Sequence, residues 1–186
     1  MKSTESAKRS ATRDLVYIAL MAVIIAACAW LQIPFGQINF TMQTFGVFLA
    51  VGLLGGKSGT LSVIVYLLLG ALGAPVFSGF TGGIAKLAGP TGGYLVGFIF
   101  AALVYWGVTK LFGDGPVPSV AGMILGNAMC YAFGTVWFSA VTGKYSFTAA
   151  LSVCVVPYVV PDLCKIALAY VMTLILRDRL RAEHIL

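Results

Sequence analysis

Asp162 and Lys165 stand three residues apart inside an apolar run near the end of the chain. At that spacing two side chains share one face of a helix. Either charge placed against lipid costs about 2.5–3.5 kcal/mol on insertion scales, so both are expected to turn inward and to meet each other or a ligand. A purely structural ion pair between helices is the competing reading. Pro157 and Pro161 sit just ahead of them. Each lacks an N–H, so the carbonyls of Val153 and Pro157 lose their helical donors and polar backbone is left beside the charges. Interrupted helices of this kind build binding pockets at membrane depth.

Two further groups of residues offer binding chemistry. Gly89-Pro90-Thr91-Gly92-Gly93-Tyr94 heads an apolar run, where free N–H groups at a helix start can receive an anion or a carbonyl. Proline in a first turn is also ordinary capping, but Lys86 lies close by. Asn127 is a lone amide among apolar residues, either helix glue or a ligand contact. Gln43 and Asn39 carry the same ambiguity.

Catalytic chemistry finds little to work with. Gly56-Lys57-Ser58 resembles the end of a phosphate-binding loop, but the required earlier glycine position is Val51, and Gly52 is out of register. The single histidine, His184, lies close to the C-terminus, so neither a metal site nor a histidine-based triad can be assembled. Cys28, Cys130, Cys154 and Cys164 show no metal or disulfide spacing and lie in apolar runs, where cysteine behaves as a small hydrophobe. No enzyme, metal or cofactor is expected.

The elements that must position these residues are membrane helices. Of the 186 residues, 60% are apolar and only 10% charged, with a mean hydropathy of +0.97. Too little charge is present to cover a water-facing surface, so the solvent is lipid. The net charge of +6 has no aromatic-interleaved basic stretch behind it, which argues against nucleic acid. Apolar runs at 15–33, 41–54, 59–72, 91–112, 119–141 and 147–176 predict six transmembrane helices in one domain spanning residues 1–186. Runs such as Leu61 to Leu69 do not alternate, which excludes a barrel.

With six spans, Lys57, Lys110 and both basic tails share one side, leaving Lys86 and Lys144 on the other. The positive-inside bias then makes both termini cytoplasmic. Ile25-Ala26-Ala27-Cys28 resembles a lipoprotein cleavage box, yet cleavage there would remove a needed helix. Between the third and fourth helices, residues 73–93 hold seven glycines and two prolines yet also Val76, Phe77, Phe80, Ile84 and Leu87. That mixture suits a re-entrant or lid-like loop over a cavity better than a solvated connector. Ala22-x-x-x-Ala26 forms a small-residue stripe that lets a second helix approach closely, within the chain or from a partner.

These residues together resemble the BioY family, the biotin-specific S components of energy-coupling factor transporters. The resemblance runs from the alanine-rich first helix through Gly82-Gly83 and Gly89-Pro90-Thr91-Gly92-Gly93-Tyr94-Leu95 to Pro157-Tyr158, Asp162 and Lys165. It implies high-affinity biotin capture from the outer face of a prokaryotic plasma membrane, with the loop after helix 3 helping to cover the vitamin. It also implies a coupling transmembrane protein and two ATPases as partners, with Ala22 and Ala26 as the docking surface. Biotin offers an apolar bicycle, a ureido group and a carboxylate tail. Asp162 suits the ureido N–H donors, Lys165 the carbonyl or the tail, and Tyr94, Phe40 and Phe77 could pack on the ring. An assembly subunit, or a stand-alone facilitator of another small solute, is the alternative.

Overall fold

The structure is a computed structural model that describes residues 2–34 and 39–182, with side chains described for residues 12–34 and 39–179. His184 lies outside the described residues, as do the side chains of Lys2, Lys8, Arg9 and Arg181.

The chain begins with helix α1, Lys2–Trp30. It ends three residues earlier than its apolar run, because Ile33 precedes Pro34 and is steered toward extended backbone. Strands β1 (Gln32–Ile33) and β2 (Phe40–Thr41) then pair antiparallel, Gln32 opposite Thr41 and Ile33 opposite Phe40.

Helix α2, Gln43–Ala71, is folded back on itself. Gly55 has φ 78° and ψ 168°, a conformation outside the helical range that only glycine adopts without strain. A Cβ on Gly59 would lie 2.4 Å from the Cα of Val51, whereas residues eight apart on a straight helix are about 12 Å apart. Gln43 Nε2 also donates to the Tyr66 hydroxyl at 2.6 Å across 23 residues of sequence. The arms 43–54 and 56–71 are therefore antiparallel neighbours, about 18 and 24 Å long, and they correspond to the second and third expected spans. Five helices of the described residues are long and apolar enough to cross a membrane, α2 counted once.

Residues 72–91 connect α2 to the next long helix. They hold a tight turn through Gly79 and Phe80, closed by a bridge between Phe77 and Thr81, and a five-residue helix α3, Ile84–Ala88, that the glycine content had hidden. Trp30 at the end of α1 ties this connector down: its Nε1 donates to the Pro75 carbonyl at 2.9 Å and its ring stacks on Phe80 at 5.0 Å.

Helices α4 (Gly92–Phe112) and α5 (Pro116–Thr142) pack against each other through small residues. A Cβ on Gly97 would come 2.9 Å from Cys130 Sγ, and one on Gly126 would come 2.6 Å from the Ala101 carbonyl. Gly93 faces Trp137 in the same way, so the levels pair 93 with 137, 97 with 130 and 101 with 126. Close approach of this kind gains dispersion contacts that lipid cannot replace.

The last apolar run is two helices rather than one. Helix α6 spans Phe147–Cys154, a 3₁₀ turn covers Val156–Tyr158, and α7 spans Val159–Ala182. The break falls at Pro157, as its missing N–H requires. The core lies among α1, both arms of α2 and α4, where Ile25, Val47, Val51, Val63 and Tyr66 are fully buried. Large apolar residues such as Leu20, Leu68, Leu72, Leu111 and Val160 face outward, the arrangement expected when lipid is the solvent.

Candidate functional site

A cavity of about 220 Å³ opens among the start of α2, the 72–91 connector and helices α4, α5, α6 and α7. Asp162 stands in the first turn of α7, at its positive dipole end, and Lys165 one turn later. Their relative exposures are 4% and 5%, and Lys165 Nζ lies 2.7 Å from Asp162 Oδ1. The same ammonium donates to the Thr41 carbonyl at 2.7 Å and sits 3.8 Å above the Phe40 ring. An ammonium has three donors, and these three partners occupy all of them. Asp162 is less completely used. Its Oδ2 accepts from the Tyr131 hydroxyl, but a carboxylate has about four acceptor sites, so capacity remains toward the cavity.

One face of α5 supplies the adjacent wall. Asn127, Tyr131 and Thr135 recur every four residues. Asn127 lines the cavity beside the Tyr131 hydroxyl. Thr135 hydrogen-bonds the Tyr94 hydroxyl at 3.1 Å, which holds the Tyr94 ring as cavity lining. Ser78, Lys86 and Thr91 close the side formed by the connector.

Asp162, Lys165, Asn127, Tyr94, Thr91, Lys86 and Gln43 thus line one cavity. Gln43 is there as a strut, since its amide is engaged by Tyr66 and Thr41. Four other expectations need correction. Phe77 does not line the cavity: it is fully buried, edge-on to Tyr66 and in the space where a Gly70 side chain would stand. Phe40 stacks on Tyr158 at 6.5 Å and lies under Lys165, facing a smaller apolar groove with Ile33, Pro157 and Pro161. Gly89 accepts from Trp137 Nε1 at 3.0 Å, and Gly92 donates to the Gly89 carbonyl while pressed against Leu87. That turn therefore serves packing, with these amides engaged inside the chain. Ala22 and Ala26 are 1% and 4% exposed and packed into the chain's own core, where Gly46 of α2 comes against Ile25 and Cys28.

The sequence reading missed Tyr131, Thr41, Ser78 and Tyr158, all lining the cavity. For Tyr131 a signal existed: the four-residue recurrence from Asn127 to Thr135 is a polar stripe in an apolar helix. Thr41 acts through its backbone carbonyl, which no residue type announces.

Comparison with known proteins adds an independent line. The family model described as the BioY family matches residues 1–182. A Thermotoga maritima protein described as biotin transporter BioY is 40% identical over 165 residues, covering 89% of this chain and 96% of the relative. A Pyrococcus horikoshii protein described as a probable biotin transporter BioY is 36% identical, covering 86% and 93%. Among solved structures, the S-component for biotin from an ECF-type ABC transporter superposes with a TM-score of 0.82 at 28% identity, over 91% of this chain and 93% of that one.

Proposed function

The chain belongs to the BioY family, and from that premise we propose that it captures biotin as the membrane-embedded, substrate-binding subunit of an energy-coupling factor transporter. The observation that carries this reading is a buried carboxylate, Asp162, held by Lys165 and Tyr131 yet with acceptor capacity toward an otherwise largely apolar cavity. The two ureido N–H groups of biotin need such an acceptor. The Asn127 amide can meet the ureido carbonyl, and Tyr94 and Phe98 give the bicycle apolar walls. A mostly apolar pocket with a few fixed polar groups is the usual form of a small-molecule site.

Counting the two arms of α2 separately, the chain crosses the bilayer six times with both termini cytoplasmic, and Lys86 and Lys144 outside. The connector 72–91 then covers the outer mouth. Energy comes from a coupling membrane protein and two ATPases. Because Ala22 and Ala26 are buried, contact on α1 falls to its outward side, where Ala19, Val23 and Ala27 recur every four residues and are exposed.

Equilibrium binding of labelled biotin to detergent-purified protein tests the proposal. Saturable binding near one per chain is expected. No binding would refute it. Orientation is tested in intact cells with a membrane-impermeant thiol reagent on single cysteines: labelling at position 144 but not at position 57 or 110 is expected, and the opposite pattern would invert the topology.

A further inference from the structure

Three charged side chains line the cavity: Asp162, Lys165 and Lys86. Two cations against one anion leave one positive charge over. Lys165 and Asp162 neutralise each other at 2.7 Å, and the remaining Lys165 donors are directed at the Thr41 carbonyl and the Phe40 ring. The surplus therefore belongs to Lys86, whose side chain has no carboxylate or hydrogen-bond partner among the described residues.

Lys86 and the Asp162 pair also stand at different depths. Lys86 is on α3, and Gly89 just beyond that helix is fixed to α5 by Trp137. Six residues of α5 separate Trp137 from Tyr131, whose hydroxyl meets Asp162, about 9 Å of helix. The cavity is thus bipolar, with hydrogen-bonding groups around a neutralised ion pair at one end and an uncompensated cation at the other.

We infer that Lys86 is the specificity-determining residue that receives the carboxylate of an elongated monoanionic ligand, while the ligand's uncharged polar head meets Asn127 and Asp162. This rests on the biotin reading above and assigns the vitamin's orientation within it. Lys165 does not take the carboxylate; it positions Asp162.

The test is calorimetric titration of the purified full-length chain with biotin and with biotin amide, which keeps the ring and loses the charge. Wild type is expected to prefer biotin. Lys86→Met should weaken biotin by about 10- to 100-fold, the range for loss of one charge-assisted hydrogen bond, and leave the amide unchanged. Lys86→Arg should keep most of the preference. Lys165→Met should weaken acid and amide alike. An acid-to-amide ratio in Lys86→Met equal to wild type would overturn the assignment, as would equal loss of both ligands. Failure of wild type to bind either compound would instead remove the biotin reading on which it rests.

Discussion

Lys165 and Lys86 reach the same cavity, but their surroundings differ in kind. Lys165 belongs to a long helix at membrane depth, is 5% exposed, and has a partner in each donor direction. Lys86 belongs to a five-residue helix in a connector, is half-buried, and has no such partner. The difference follows from the cost of desolvation. A charge taken fully out of water must be compensated inside the chain, or stability falls by about 3–5 kcal/mol. A charge at a mouth keeps part of its hydration and can wait for a ligand. Placement in the fold therefore separates a lysine that organises the site from one that can select what enters it.

The largest expected effect breaks this comparison at its buried end. Lys165→Met leaves Asp162 charged and without its cation, which should lower stability by about 3–5 kcal/mol, read as thermal unfolding in detergent. Asp162→Asn combined with Lys165→Met should recover most of that loss while biotin binding stays weak. Lys86→Met should stay within about 0.5 kcal/mol of wild type, as for ordinary surface substitutions. Equal stability losses from the two single lysine variants would erase the distinction.

A smaller effect is expected at Tyr131. Tyr131→Phe removes a hydrogen bond to a buried carboxylate, worth about 1.5–3 kcal/mol, and should weaken biotin and biotin amide by the same factor. A selective effect on the acid would mean that Tyr131 senses the ligand's charge directly. Smaller still is Phe40→Leu, which deletes the ring under the ammonium; a cation–π contact contributes about 0.5–2 kcal/mol. Unchanged unfolding and unchanged binding would show that the Lys165 ammonium does not rely on that ring.

How much of this was legible in the sequence follows the same divide. Asp162 and Lys165 were readable because charge inside an apolar run has few tolerable placements. The gap between the apolar runs 41–54 and 59–72 marked the reversal in α2, and Pro157 marked the break before α7. What the sequence could not give were choices among equally plausible partners. Small residues at Ala22 and Ala26 permit close packing without saying against what, and the answer was the chain's own core. Phe77 is as suited to a ligand as to the gap beside Gly70, and geometry alone selects the latter. The Thr41 carbonyl meets Lys165 across 124 residues of sequence, and a backbone group has no letter of its own.

Ser78 lines the cavity from the connector, so a probe at that position reports directly on whether biotin occupies it. In a chain whose native cysteines have been replaced, Ser78→Cys and Lys144→Cys would be labelled separately with an impermeant thiol reagent while biotin is titrated. Labelling at position 78 is expected to fall saturably, reaching its limit at about one biotin per chain, while labelling at position 144 stays constant. Biotin bound one per chain with labelling at position 78 undiminished would place the ligand outside this cavity.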